Sequence, residues 1–325
     1  FREEVYGLER PLHDLARYFE SAASGHETRR RILMLWGPPG GAKSTIATLL
    51  KRGLERWSET DEGAVYAIQG CPMHEEPLHL IPGRAGGDGV DLREKVRQYT
   101  GVAVEGELCP LCRFRVEHEL DGDFSRMPIE RIRLSEARRV GIGTFAPSDP
   151  KSMSMEMLTG GINFRALEQH GSDDDPRVLD WAGEFSKANR GIFEAVELFK
   201  NPREFLYGFL TLAQERQFKV GKFGFIDADM VILAHTNESE FRAFMNDPRN
   251  EALRDRLITI TVPYNLRVSD ERRIYEKLLA QSAGGFHVDP HALAAAATVS
   301  VLTRLEEHPE LAPVEKLRLY DGQEA

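Results

Sequence analysis

An α/β fold built on a parallel sheet, with a small helical domain after it, is the architecture this sequence predicts. Three observations carry the prediction. Residues 31–36, RILMLW, form a short, nearly continuous apolar run, as expected of a strand buried on both faces of a parallel sheet. GPPGGAKST follows at 37–45, a glycine-rich turn closed by a lysine and two hydroxyls. Next comes STIATLLKRGLERW, with Ile46, Leu49, Leu50, Leu54 and Trp57 along one helical stripe. Strand, glycine loop and helix in that order are the setting in which such a loop cradles phosphate.

The remaining elements follow in chain order. Leu8, Leu12, Leu15, Ala16 and Phe19 have helical spacing, which predicts an amphipathic helix ahead of the first strand. AVYAIQG (64–70) reads as the next strand. From Cys71 the rhythm changes to CPMHEEPLHLIPGRAGGDG and GELCPLCRFRVEHELDGD, so 71–141 is expected to be an insertion with a small fold of its own. Strand and helix patterns resume with RGIFEAVELF (190–199), REFLYGFLTLAQERQF (203–218) and DMVILAHTN (229–237). RLITITVPYN (256–265) has the β-branched content of a last strand. VSDERRIYEKLLAQ and DPHALAAAATVSVLTRLEEH read as helices, with Ser269 and Asp289 as their N-caps. The expected domains are therefore 1–265, the α/β nucleotide-binding domain, and 266–325, the helical one.

Composition narrows the function classes. The 325 residues are 41% hydrophobic, enough for one large core or two modest ones. No apolar run approaches the roughly 18 residues that span a bilayer, and no secretory pattern opens the chain, so a soluble, cytoplasmic protein is expected. The first residue is Phe1 rather than Met, which suggests part of a longer chain. A formal net charge of −10 argues against constitutive nucleic-acid binding, which normally shows a basic face. Three cysteines are too few for a secreted disulfide framework, and a metal site is the simpler account.

In the pattern G-x-x-x-x-G-K-[ST], successive backbone N–H groups and a helix N-terminus face the phosphates. Gly37, Pro38, Pro39, Gly40, Gly41, Ala42, Lys43, Ser44 and Thr45 make up that loop here. Lys43 supplies the cation for the outer phosphates, Ser44 the hydroxyl for Mg²⁺, and Thr45 a contact near the innermost phosphate. Ala42 stands where a third glycine is usual. Its methyl group fits if φ is negative, because only positive φ penalises a Cβ. The competing reading is a plain glycine turn with an incidental lysine; the flanking strand and helix favour ATP.

Cys71, His74, Cys109 and Cys112 have the spacings C-x₂-H and C-x₂-C and include every cysteine of the chain. Two such pairs supply the four ligands of a tetrahedral Zn²⁺, which would cross-link an insertion with little apolar content of its own. His79 and His118 are alternatives to His74, and reduced cysteines with a solvated histidine are the bland reading. HEEPLH is not the metalloprotease H-E-x-x-H, having one residue too many and a proline that breaks the helical turn.

GPPGGAKSTI, CPMHEEPLHLIP, GIGTFAPSDPKS, ANRGIFEAVELFK, HTNESEF, NEALRDRLITITVPYNLRVS and RLYDG together resemble an AAA+ ATPase, and more closely the PrkA family, described as serine protein kinases. The resemblance runs the length of the chain. It implies a P-loop NTPase of the AAA+ class: a parallel sheet flanked by helices, a zinc-binding insertion and a C-terminal α-helical lid. An alanine before the loop lysine is also familiar from replicative helicases of the MCM type.

The resemblance further implies site roles. In AAA+ proteins an apolar strand ends in Asp-Glu, the Asp helping to hold Mg²⁺ and the Glu polarising the attacking water. GIFEAVELF matches that strand with Val196 in the Asp position and Glu197 in the Glu position, while Glu194 points to the opposite face from Glu197 in an extended strand. Magnesium would then rest on Ser44 and water, with slower hydrolysis. An acidic surface helix is the alternative for this segment. Asn237 matches the polar residue that orients the water, or else caps the helix after it. Arg256 matches the arginine finger supplied to a neighbouring subunit, with Arg254 in reserve, and Arg304 matches a second sensor in the lid.

The leading expectation is an ATPase module that assembles as a homo-oligomeric ring, of up to six subunits, and acts on a protein client. A serine protein kinase is the alternative. H-R-D and D-F-G are both missing, so the acceptor-handling residues would lie in the further C-terminal region that the family's members have. The motor of an ATP-dependent protease is a third reading, although neither G-x-S-x-G nor a zincin motif is present. A nucleic-acid motor is disfavoured by a pI near 5.6.

Overall fold

The computed structural model describes residues 4–83, 91–147, 153–281 and 288–323. Parts of the expected insertion (84–90), of the GIGTFAPSDPKS segment (148–152) and the outer ends of both expected domains lie outside the described residues. In chain order the elements begin with α1 (Glu9–Ala23), β1 (Ile32–Gly37), α2 (Lys43–Glu59), β2 (Val65–Ile68), α3 (Leu92–Thr100), α4 (Pro110–Phe114), β3 (Ile129–Ile132) and β4 (Ile142–Phe145). They continue with α5 (Glu156–Thr159), β5 (Gly161–Ile162), α6 (Phe164–His170), β6 (Leu179–Asp180), α7 (Glu184–Ala188), β7 (Ile192–Ala195) and α8 (Arg203–Glu215). The last are β8 (Gln217–Lys219), β9 (Phe225–Asp227), β10 (Val231–Asn237), α9 (Glu238–Asn246), α10 (Glu251–Arg254), β11 (Leu257–Thr261), α11 (Val268–Gln281), α12 (Pro290–Leu302) and α13 (Pro313–Tyr320).

Five strands form one sheet in the order β11-β1-β10-β7-β4, and every pairing is parallel. Each strand is short and apolar because both faces are covered, and the side chains alternate between two cores. Leu33, Leu35, Ile192, Leu233 and Ile260 pack with Leu15 and Tyr18 of α1 and Ile46 and Ala47 of α2. Met34, Phe193, Ala195, Ile232 and Ala234 face the other way, against Phe185, Phe205, Phe209 and Phe241. The expected strands at 31–36, 190–199, 229–237 and 256–265 all lie in this sheet, so the acidic-helix alternative for GIFEAVELF falls away.

Two expectations are corrected. The strand predicted at 64–70 forms, but outside the main sheet: β2 pairs antiparallel with β3, Val65 opposite Ile132 and Ile68 opposite Ile129. A four-residue apolar run carries no signal of which partner it takes. Ser269 is not an N-cap, since α11 begins one residue earlier; its backbone N–H and its hydroxyl both donate to Asp321. Asp289 does cap α12, accepting from His291 N–H at 2.7 Å. No helix among the described residues is long and apolar enough to cross a membrane.

Candidate functional site

The parallel register puts the carboxyl ends of β1, β10 and β7 side by side, with Gly37 opposite Asn237. At that edge β1 gives way to the glycine loop and then to α2. Gly37 is required by close approach, because a Cβ there would stand 2.1 Å from the carbonyl oxygen of Val262. Gly40 has φ +76°, the left-handed region that glycine enters freely. Ala42, the residue before α2, also lies there, with φ 67° and ψ 14°. The expected negative φ is thus corrected. The loop keeps its turn at this position and the alanine carries the strain.

Lys43 is buried, and its ammonium donates to the carbonyls of Gly37 (2.8 Å) and Pro38 (2.7 Å). Burial pushes its pKa down, against the attraction of Glu197. Ser44 and Thr45 are exposed on the first turn of α2, which carries no acidic residue and presents its positive end to the cleft. Gly40 to Thr45 line a cleft of about 610 Å³ together with Val196, Glu197, His235 and Asn237. Ile274, Lys277, Leu278 and Gln281 of α11 line it from the helical segment, and Glu4 to Tyr6 from the N-terminal one.

The structure therefore brings the loop, Glu197 and Asn237 into one cleft. Glu197 sits just past β7 with φ 46° and pairs with Lys200. Asn237 is the residue before α9, but its side chain makes no capping bond. Val196 occupies the position expected for an aspartate. Glu194, two residues back on β7, is buried and takes Lys51 Nζ at 2.6 Å and His235 Nε2 at 3.2 Å.

The three arginines lie elsewhere. Arg256 stands at the opposite end of the sheet, its carbonyl accepting from Ile32 N–H at 2.8 Å and its guanidinium donating to Gln214. The span of β1, about 17 Å at 3.3 Å per residue, separates it from the loop of its own chain. It lines a polar cleft with Arg30 and Arg31. Arg254 is held by the Met245 carbonyl at 2.8 Å. Both terminal nitrogens of Arg304 reach Glu271 at 2.8 Å, and with Tyr264 and the loop residues Gly37 and Pro38 it lines a depression other than the cleft of Lys43. The cation that α11 turns to the cleft is Lys277, paired with Glu4. A lysine on an amphipathic helix gives no signal of this in sequence.

Cys71, Cys109 and Cys112 are buried, and their sulfurs lie within 4.8 Å of one another and of a carboxylate oxygen of Glu75. Glu75 is the residue grouped with the three sulfurs, where His74 was expected. His74 N–H closes a turn on Cys71 O at 3.0 Å with φ 52°, and the residue after that left-handed turn is the one that faces the sulfurs. His74 Nδ1 is left buried without a partner. His79 bonds Glu75 Oε1 instead, and exposed His118 stacks on Phe114. Hydrogen bonds from the Cys109 and Cys112 thiols hold Cys71 well below the usual thiol range, while burial pushes Cys109 well above it. Glu75 Oε1 accepts from Cys109 N–H at 2.6 Å, whereas Oε2 is buried with no partner. Three sulfurs and a carboxylate oxygen are a donor set that fits a closed structural cation. Asn189 ties this turn to the sheet, donating to Met73 O and accepting from Asp229 N–H, each at 2.8 Å.

The PrkA AAA domain matches residues 1–311. The chain is 49% identical to the "ATP-dependent protease PrkA" of Bacillus subtilis (strain 168), over 99% of this chain and 51% of that protein. It is 32% identical to the "Serine/threonine kinase YeaG" of Escherichia coli (strain K12), over 99% and 49% respectively. The chain thus spans about half the length of the curated relatives it matches. A solved complex of the magnesium chelatase subunits BchI and BchD is similar with a TM-score of 0.46 and 15% identity, over 93% of this chain and 72% of that one. On the match over nearly its whole length, the chain belongs to the PrkA AAA family.

Proposed function

We propose that this chain is an ATP-binding and ATP-hydrolysing AAA+ module that couples Mg-ATP to action on a protein client. One observation carries the reading: Lys43, at the amino end of α2, opens onto the same cleft as Glu197 and Asn237. The loop N–H groups and Lys43 hold the triphosphate, Ser44 meets the magnesium, Glu197 polarises the attacking water and Asn237 orients it. Bound Mg²⁺ supplies charge neutralisation at the phosphates. The helices from 266 onward act as a lid, a role supported by the α11 side chains on the cleft wall. Arg256 is too far from its own loop, so it serves a neighbouring copy in a homo-oligomeric ring. Steady-state ATPase activity against protein concentration tests this. Specific activity should rise as subunits meet, and a concentration-independent rate refutes the trans role.

The relative's name YeaG kinase favours phosphotransfer as a second reading, and the name of the B. subtilis relative favours proteolysis. Incubation with γ-labelled ATP and a generic protein separates them: labelled protein supports the kinase, free phosphate the motor, and peptide products the protease. We also assign Zn²⁺ to Cys71, Glu75, Cys109 and Cys112, as a cross-link of the segment 71–141. What supports this is the buried donor set with its unpartnered carboxylate oxygen.

A further inference from the structure

His235 has no assigned role, yet it is the one imidazole on the floor of the phosphate cleft among the described residues. It is 5% exposed. On β10, Leu233, His235 and Asn237 share the sheet face that α2 covers, as Glu194 does on β7. Leu233 is opposite Glu194 and Ala234 opposite Ala195. Just past these last paired residues, His235 lines the cleft together with Val196, the residue standing where an aspartate would be.

The tautomer follows from the partners. Glu194 Oε1 lies 3.2 Å from His235 Nε2, and Glu194 Oε2 receives Lys51 Nζ at 2.6 Å and the Thr144 hydroxyl at 3.5 Å. Lys51 also binds Glu136, so the buried carboxylate has a fixed cation behind it. Burial works against its charge, but the bonds from His235 and Lys51 hold Glu194 below the usual carboxylate range. An ionised carboxylate only accepts, so Nε2 carries a hydrogen, and in the neutral form of the ring Nδ1 keeps its lone pair. Nδ1 has no protein partner among the described residues. The ring thus offers an acceptor that is rigidly anchored from behind.

On the reading that the cleft holds Mg-ATP, we infer that His235 is a positioning residue that takes over the acceptor role left open by Val196. Nδ1 accepts a hydrogen bond from a water of the nucleotide's hydrated cation, and Glu194 with Lys51 fixes the ring for that task. No proton leaves the water in this role. A carboxylate at 196 would do the same by charge; here a neutral acceptor does it, and the negative charge stays buried against Lys51.

The test separates this inference from the nucleotide reading itself. Fluorescent ATP is titrated with and without Mg²⁺ against wild type, Lys43→Ala, His235→Phe and His235→Phe/Val196→Asp. His235→Phe should keep the metal-free affinity and lose about tenfold of the gain that Mg²⁺ brings, the worth of one hydrogen bond to a charged system. Val196→Asp should restore it. An unchanged Mg²⁺ gain in His235→Phe, with metal-free binding intact, overturns the inference alone. Unchanged binding in Lys43→Ala overturns the nucleotide reading instead. A readout on wild type avoids any folding defect of the variants. In ¹⁵N-histidine spectra the Nδ1 resonance of His235 should move on Mg-ADP and not on metal-free ADP. A resonance indifferent to the metal contradicts the assignment.

Discussion

Lys51→Met probes the buried network beneath the phosphate cleft. The Lys51 and Glu194 side chains are each 7% exposed, with Nζ to Oε2 at 2.6 Å. Methionine has similar bulk but removes the cation, leaving Glu194 charged and buried with only His235 and Thr144 as donors. Removing one member of a buried pair costs about 3–5 kcal/mol, whereas an exposed pair is worth about 1 kcal/mol at most. Lys51→Met/Glu194→Leu removes both charges, leaving mainly a lost hydrogen bond at His235, about 1 kcal/mol. The double variant should therefore be more stable than the single one by about 2 kcal/mol or more. Urea unfolding at pH 7 measures the three proteins. A Lys51→Met loss under about 1 kcal/mol, or a double variant no better than the single, refutes the buried-pair argument.

The pH dependence has a definite sign. The Glu194 pKa is lowered in the folded protein, so its contribution is present above the unfolded value of about 4.3 and is lost as pH falls through the folded value. The Lys51 pKa is raised by its bonds to Glu136 and Glu194, against the effect of burial. Its contribution is present below about pH 10.4 and lost only as pH rises through the higher folded value. Across pH 8–10, above the ordinary range of the histidine that joins them, the contribution of Glu194 and Lys51 should be flat, and a slope there in wild type that vanishes in the double variant would contradict this.

Ala42→Gly should stabilise the fold. Leaving the left-handed region of an L-residue recovers about 1–2 kcal/mol, offset by about 0.4–1 kcal/mol of unfolded-state freedom, and Ala42→Val should lower the urea midpoint. Glu75→Ala and Cys109→Ser should each lose bound zinc by elemental analysis, while His74→Ala should retain it; zinc lost only with His74 would restore the expected ligand set. Arg256→Ala should leave ATP affinity unchanged and lower turnover by about 10³ or more, and an unaltered rate removes the finger assignment.

The phosphate loop was legible because its chemistry depends on neighbours in sequence: a buried strand, glycines and a helix start, all within residues 31–57. The strands at 190–199, 229–237 and 256–265 were legible for a related reason, since an apolar run covered on both faces looks the same wherever it pairs. What depends on direction in space was not. β2 pairs with β3 rather than with the main sheet. The left-handed turn at His74 exchanges a histidine for Glu75, and no spacing rule registers a positive φ. Lys51 on α2 looks like any solvated helix lysine until β7 places Glu194 beneath it. Arg304 follows the lid pattern in sequence, but its guanidinium is paired with Glu271 of α11, which no spacing rule predicts. Ala42 ran against the expectation because the turn's need for positive φ outweighed the alanine's preference.

The most direct test is a structure solved with a non-hydrolysable ATP analogue and Mg²⁺. The triphosphate should lie at the amino end of α2, with Lys43 released from the Gly37 and Pro38 carbonyls to meet the outer phosphates, and with Glu197 and Asn237 facing the terminal one. An empty cleft at saturating analogue, or nucleotide bound elsewhere while Lys43 keeps its two carbonyl bonds, would contradict the account.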